Sequence, residues 1–496
     1  MRRCPMPLAT LETLAFDNRF ARLPDSFFTR VSPTPLKNPH LVAFNPDAAA
    51  LLDLDPAQAA RPECAGLFGG HYLPPGGDPL AMLYAGHQFG HYVSRLGDGR
   101  AILLGQVRNA AGELWDLHLK GAGLTPFSRD DDGRAVLRSC IREYLCSEAM
   151  HGLGIPTTRA LCVIGSEEPV YREQVETGAT LLRLSPSHVR FGSFEVFYYR
   201  RQPEHLKTLA DYVITEHFPE IGESPDRYDP WLSDVAARHG RMIAAWQAVG
   251  FAHGVMNSDN MSILGLTLDY GPFGFLEAYQ PGFICNHSDT YGRYAFHNQQ
   301  DIGYFNLRCL IQAVSPLITE AGGHAALARY EESFQAQYAA LMRAKLGLQE
   351  AREEDADLLV ELLRLMEADD VDYTIFFRAL GDFRQDAVDG QAVLRDFFLH
   401  REGFDEWATR YAARLKSEGS RDEERQARMN RANPKYILRN YLAHEAIRRA
   451  REEKDFSEVE RLWRLLRDPF TEQPGMEAYA APSPEWAKSI TVSCSS

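Results

Sequence analysis

Three side chains with hard oxygen donors lie close together in this chain. Asp259 and Asn260 end the run His253-Gly254-Val255-Met256-Asn257-Ser258-Asp259-Asn260, and Asp269 opens Asp269-Tyr270-Gly271 nine residues later. Carboxylate and amide oxygens of this kind suit magnesium, which binds through one or two protein groups and keeps its other positions for phosphate and water. Cations and glycines that could hold a polyphosphate lie upstream. Leu96-Gly97-Asp98-Gly99-Arg100 is a turn whose glycines let backbone amides approach phosphate oxygens, with Arg100 beside it. Lys120 is followed 23 residues later by Glu143, and Asp130-Asp131-Asp132-Gly133-Arg134 forms an acidic turn between them. Arg183 and Arg190 flank Ser185-Pro186-Ser187-His188, and a guanidinium matches phosphate oxygens in bidentate fashion. The chemistry implied is transfer at a phosphorus centre.

The order is similar to that of a protein kinase, in which an Asp two residues after the loop His takes the substrate proton and an Asn and a later Asp hold metal. Here Val255 occupies the base position, and a hydrocarbon cannot accept a proton. The metal donors persist without the usual base, so the pattern points to another reaction. Each residue also has a plainer reading. A G-x-G turn is commonly structural, Lys120 could be an exposed strand lysine, and Glu143 could belong to a charged helix face with Arg142 and Glu148. An acidic cap accounts for one of the three aspartates but hardly for all three. Asp259 could simply cap a turn. Arg100, Lys120, Arg183 and Arg190 together carry more positive charge than anchoring a nucleotide requires, which suits departure of pyrophosphate.

The elements that must position these residues follow from periodicity. Ala101 to Val107 and Leu114 to Lys120 read as strands around a turn at Asn109 to Gly112. Trp115, Leu117 and Leu119 share one face, with Asp116, His118 and Lys120 on the other. A helix is predicted from about Arg134 to Gly152, with Leu137, Ile141, Tyr144, Leu145 and Ala149 at helical spacing. Strands are predicted at Ala160 to Ile164 and Ala179 to Leu184, then helices at Leu206 to His217, Val235 to Val249 and after Leu307. The fold class is α+β, with the β-β-α-β-β order and helical continuation of a protein-kinase-like bilobal fold. The expected divisions are a wrapping extension over residues 1–80, a small β-rich lobe over 81–200, a large helical lobe over 201–480 and a tail over 481–496.

Bulk properties narrow the partners. The 496 residues are 45% hydrophobic and 24% charged, ordinary for a soluble globular chain. A formal charge of −15 argues against broad nucleic-acid binding. No apolar run approaches the roughly 18 residues of a membrane span, and the start lacks the apolar core of a signal peptide. A cytoplasmic monomer without membrane partners is expected. The eight cysteines form no C-x-x-C pair. Cys4, Cys64, Cys140, Cys146, Cys162 and Cys309 read as reduced thiols. Cys494 lies near the end of the chain and Cys285 where a kinase carries its activation segment, so a reversible Cys285–Cys494 disulfide is one reading and two bystander thiols the other. His287 and Asp289 beside Cys285 match no zinc spacing and read as a solvated loop.

Taken together, the motifs resemble those of the selenoprotein-O family, also called the YdiU family, over nearly the whole chain. The matching segments are Leu83-Tyr84-Ala85-Gly86-His87-Gln88-Phe89-Gly90, the Gly97–Arg100 turn, Leu119-Lys120-Gly121-Ala122-Gly123 and the His253–Asn260 loop. The resemblance implies a pseudokinase that transfers AMP from ATP to Ser, Thr or Tyr hydroxyls of proteins, binding ATP in the reverse orientation to kinases. It assigns ATP binding to Gly97, Gly99, Arg100, Lys120, Asp132, Gly133, Arg183, Arg190 and Asp269. It makes Asp259 the proton acceptor, Asn260 and Asp269 the Mg2+ ligands (Mn2+ being possible) and Glu143 the partner of Lys120. Eukaryotic members carry selenocysteine near the C-terminus, a place comparable to Cys494. Manganese-dependent UMP transfer from UTP, transfer of the γ-phosphate by a divergent kinase, and a nucleotide-sensing scaffold remain as alternatives.

Overall fold

The computed structural model describes residues 8–387 and 391–492. Strands β1 (Phe28–Arg30), β2 (His40–Phe44), β3 (Leu80–Met82), β4 (Gly86–Gln88), β5 (His91–Val93), β6 (Ala101–Arg108), β7 (Leu114–Lys120), β8 (Ala135–Val136), β9 (Arg159–Tyr171) and β10 (Val175–Ser185) follow in chain order. All but the β4–β5 hairpin join one eight-stranded antiparallel sheet, ordered β1-β3-β6-β7-β10-β9-β2 with β8 on β10. The fold is therefore mixed, with an antiparallel sheet followed by many helices.

Alternation along β7 explains how the sheet is covered. Leu117 and Leu119 are fully buried and pack with Leu52, Leu67 and Phe68 of the N-terminal segment, beside helices α1 (Pro46–Ala50) and α2 (Pro62–Phe68). Full burial of such a leucine contributes about 1.5–3 kcal/mol. Leu103 and Leu181 belong to the core that holds Ile141, Tyr144 and Leu145 of α3 (Leu137–Gly152). The N-terminal segment was expected to contribute short helices; it also supplies β1 and β2, the two outermost strands of the sheet. Both are short, three and five residues, which leaves little periodicity to read in sequence.

Other boundaries moved for local reasons. The helix predicted from Arg134 starts at Leu137, because Ala135 and Val136 pair with Ala179 and Gly178. The strands predicted at Ala160 to Ile164 and Ala179 to Leu184 extend into an exposed hairpin, where Tyr171 pairs with Val175. Glu167, Glu168 and Pro169 break the apolar alternation there, and backbone pairing carries the strands past it.

Downstream lie α4 (Phe191–Tyr199), α5 (Pro203–His217), α6 (Tyr228–Val249), the short pair β11 (Phe251–Ala252) and β12 (Gly274–Phe275), α7 (Gln299–Val314) and α8 (Glu320–Lys345). Among the described residues no helix is long and apolar enough to cross a membrane. The helix Ser457–Leu466 returns to α3: a Cβ on Gly152 would collide with the Leu466 carbonyl. A second core, with Leu362, Tyr373, Phe376, Trp407 and Tyr411, forms among the later helices.

One charge sits in that second core. Lys345, 4% exposed, places its ammonium 4.4 Å from the Phe377 ring centroid and 5.0 Å from that of Tyr373. Burial lowers its pKa from 10.5 to about 7. Below pH 7 the folded and unfolded states are both protonated and the burial penalty is fully present. Between pH 7 and 10.5 the unfolded state holds more protons, so stability rises with pH. Lys345→Met should therefore stabilise the fold most at pH 6, by about 1 kcal/mol once the lost cation–π contact is subtracted, and raise the melting temperature accordingly. The gain should fade towards pH 10, as followed by thermal denaturation across that range.

Candidate functional site

The loop between β11 and β12 carries the predicted donors, and buried contacts fix it. His253 stacks on Trp246 at 5.4 Å, its backbone N–H donates to Gln299 Oε1 at 3.0 Å, and its Nε2 lies 3.0 Å from the Leu268 carbonyl. Burial lowers the pKa of this imidazole, so it ties the loop to the segment before Asp269 as a neutral strut. Gly254 has φ +80°, and a Cβ there would stand 2.5 Å from the Pro272 carbonyl oxygen. Asn260 Nδ2 donates to the Val255 carbonyl at 3.0 Å, closing the turn.

Asp259 lies in the single turn Ser258–Asn260 and is 6% exposed. Its Oδ2 accepts from Gln88 Nε2 at 3.0 Å, while its buried Oδ1 has no hydrogen-bond partner. Burial raises its pKa to about 7 against the opposing pull of the Gln88 amide. Strand β4 lies directly on this turn. The His87 N–H donates to Ser258 Oγ at 2.7 Å, and a Cβ on Gly86 would come within 2.7 Å of Asp259 Oδ1. The Leu83–Gly90 motif thus serves as a cradle for Asp259, and Gln88 is a site residue that sequence reasoning did not single out.

Asp269 adopts φ +59° and meets two guanidinium groups. Arg183 Nη1 stands 2.6 Å from Oδ1 and Arg190 Nη1 2.6 Å from Oδ2. Burial opposes the charge on Asp269, but Arg190 and Arg183 overcome it and hold the carboxyl well below the usual carboxylate range. Arg190 Nη1 also donates to the Asp259 carbonyl at 2.6 Å, and its guanidinium lies 4.4 Å from the Tyr84 ring centroid. Glu143 reaches Lys120 Nζ at 2.5 Å and Arg183 Nε at 2.6 Å. The predicted Lys120–Glu143 pair is present, with Arg183 as a third member.

These groups surround a cavity of about 460 Å³ between the sheet and the loop. Gly97, Gly99, Arg100, Lys120, Arg183, Arg190, Asp259, Asn260 and Asp269 all line it. Glu143 stands behind Lys120. Asp132 and Gly133 are set back from the wall: both Asp132 oxygens accept from Arg172, at 2.8 and 2.9 Å, and Oδ1 also accepts the Arg134 N–H. Arg172 and Asp131 line the cavity in their place, with Asp131 2.9 Å from Arg100. The glycine turn has a packing reason as well as a binding one. A Cβ on Gly97 would lie 2.5 Å from the Phe127 ring, and one on Gly99 2.9 Å from the Phe127 carbonyl.

The polar face of β7 is less open than its alternation suggested. Asp116 and His118 are buried, and His118 stacks on His188 at 4.2 Å. Each imidazole has its own carboxylate at 3.1 Å, Asp98 for His118 and Asp116 for His188. Burial, aided by the neighbouring His118, pushes His188 down to about 4. The spacing Asp116, His118, Lys120 signals a polar face; the structure buries the first two, and His118 still lines the cavity.

Cys285 is buried against Gly254, with Sγ 3.5 Å from the Ala252 carbonyl. Nearby, the His287 N–H donates to the Val492 carbonyl at 2.8 Å. The proposed partner Cys494 lies outside the described residues. Asp289 spends its oxygens on the backbone N–H groups of Arg293 and Tyr294, at 3.0 and 2.7 Å. Among the described residues no group of three or more His, Cys, Asp or Glu side chains converges as a metal cage. Asn260 and Asp269 line the cavity with oxygen donors of the kind a magnesium-type ion takes, and both Asp269 oxygens are engaged by Arg183 and Arg190.

A protein-family model described as "Protein adenylyltransferase SelO" matches residues 10–467. The chain is 61% identical over 490 residues to "Protein nucleotidyltransferase YdiU" of Myxococcus xanthus (strain DK1622), covering 99% of this chain and 100% of that protein. It is 59% identical over 489 residues to the protein of the same name from Thiobacillus denitrificans, with the same coverage. It is 55% identical over 490 residues to that from Pseudomonas fluorescens (strain Pf0-1), again with the same coverage.

The buried Asp259 should cost stability when ionised. At pH values below 3.8 the carboxyl is neutral folded or unfolded, and above about 7 the full cost of a buried anion is present. Asp259→Asn should consequently raise the melting temperature of the nucleotide-free, metal-free protein at pH 8, and the gain should shrink towards pH 4. Differential scanning calorimetry at both pH values measures it.

Proposed function

The chain belongs to the SelO family of protein adenylyltransferases, and on that basis we propose that it transfers AMP from ATP to Ser, Thr or Tyr hydroxyls of other proteins. The observation that carries this reading is Asp259: a buried carboxyl with one oxygen free of hydrogen bonds, lining the same cavity as Lys120, Arg183 and Arg190, its pKa raised to about 7 by burial. General bases work best with a pKa close to the operating pH. Residues 81–200 and 201–480 are read as the two lobes of a kinase-like fold, with the cleft between them.

In this reading the acceptor oxygen forms a bond to the α-phosphorus, and the bond from that phosphorus to the α–β bridging oxygen breaks. The acceptor proton passes to the free Oδ1 of Asp259, and the electron pair leaves on pyrophosphate. ATP lies reversed relative to a kinase, with its outer phosphates towards Lys120, Arg183 and Arg190. Gly97, Gly99 and Arg100 contact it from the turn, while Asp132 shapes the wall through Arg172. Asn260 and Asp269 would hold Mg2+ or Mn2+, which when bound supplies charge neutralisation at the phosphate oxygens. Arg183 and Arg190 hold both Asp269 oxygens, so phosphates that engaged those guanidinium groups would free the carboxylate for a metal.

The relatives are named for nucleotidyl transfer in general, which leaves UTP as a second donor. Competition between ATP and UTP, with Mg2+ or Mn2+, ranks them.

Parallel incubations with ATP labelled at the α- or γ-phosphate test the reaction. Label should enter protein only from the α-position, with release of pyrophosphate; label from the γ-position alone would mean phosphotransfer, and binding without turnover would mean a sensor. Asp259→Ala should retain metal-dependent ATP binding and lose about 10²–10⁴-fold in rate. Asp269→Ala should lose both transfer and metal-dependent binding, as read by calorimetric titration of the folded variant.

A further inference from the structure

A second cavity, of about 730 Å³, adjoins the first, and Phe89 lines both. Phe89 follows Gln88, the residue that holds Asp259. Its N–H lies 2.9 Å from Tyr294 Oη, which in turn donates to Asn257 Oδ1 in the catalytic loop at 2.5 Å. The wall of the second cavity is thereby fixed in register with the proposed base. The 288–291 segment forms its rim, where Tyr291 is 98% exposed.

Arg293 stands in this wall with an unusual set of neighbours. Its guanidinium lies 4.9 Å from the Phe305 ring centroid and 5.9 Å from that of Tyr294. A Cβ on Gly90 would come within 3.2 Å of it. Its Nε is buried without a hydrogen-bond partner, and among the described residues no carboxylate stands within ion-pair distance of the side chain. Four arginines that line the neighbouring cleft, Arg100, Arg172, Arg183 and Arg190, each have an acidic partner. Of the acidic groups in the same cavity, Asp289 is spent on backbone N–H groups and Asp301 lies exposed in the first turn of α7. A half-buried guanidinium without an anion is costly, and a carboxylate arriving from outside would remove that cost through charge-assisted hydrogen bonds.

We propose that the cavity beyond Phe89 receives the polypeptide bearing the acceptor hydroxyl, and that Arg293 selects acceptors with an Asp or Glu close to that hydroxyl. The inference rests on the transfer reaction proposed above and names its substrate class. Arg293 acts on acceptor choice and takes no part in bond making.

The test is to incubate the full-length protein, Arg293→Ala and Arg293→Glu with a desalted cell lysate, ATP and Mg2+, then map modified peptides by mass spectrometry. Sites used by the unaltered protein should be enriched about tenfold for flanking Asp or Glu over unmodified hydroxyls of the same proteins, the ratio expected of one charge-assisted contact. Arg293→Ala should lose the enrichment, and Arg293→Glu should move it to flanking Lys or Arg. ATP affinity of all three, measured by titration, should agree and so verify folding. No acidic bias in the unaltered protein, or an unchanged bias in Arg293→Glu, overturns the assignment. Absence of any AMP-modified peptide would instead defeat the underlying transfer reaction.

Discussion

Five charged side chains of alternating sign, Lys120, Glu143, Arg183, Asp269 and Arg190, run through the interior wall of the cleft, each within 2.6 Å of the next. Isolated, any one of them would be too costly to bury. In series each compensates its neighbour, and one positive charge is left for a ligand. The series also links distant parts of the chain: Lys120 comes from β7, Glu143 from α3, Arg183 from β10, Asp269 from the loop before β12, and Arg190 from the edge of α4. The sheet, its covering helix and the loop are held in one geometry by this electrostatic thread.

Asp259 shows the opposite design. It stands outside that thread, with only the Gln88 amide on one oxygen, so burial raises its pKa where the arginines lower that of Asp269. Two aspartates ten residues apart in the chain are driven in opposite directions by their surroundings. That separation suits the division of labour proposed above, with Asp259 accepting a proton while Asp269 stays charged.

The remaining framework serves this arrangement. The N-terminal segment closes both edges of the sheet and covers the apolar face of β7, which leaves its polar face for the cleft. The β4–β5 hairpin, outside the main sheet, reaches across to cradle Asp259 and turns at Phe89, which lines both cavities. Small residues are required where these pieces touch: Gly86 against Asp259, Gly97 against Phe127, Gly254 against Cys285 and Pro272.

Much of the site was legible from residue types and spacing. Asp259, Asn260 and Asp269 declare oxygen donors, the alternation of β7 aims Lys120 away from the apolar face, and the helical period of α3 carries Glu143 towards it. These are local signals, carried by periods of two and 3.6 residues within one element. The roles of Gln88 and Arg293, the setting back of Asp132, and the burial of His118 against His188 depend on contacts between segments far apart in sequence. So do the pKa values of the two aspartates, because electrostatic free energy depends on distance and burial. The amino-acid sequence alone determined which chemical groups the protein carries and the elements that bear them. Tertiary packing decided which of those groups stay charged, which face the cleft and which are tied to one another, because only the fold sets the separations over which charges and hydrogen bonds act.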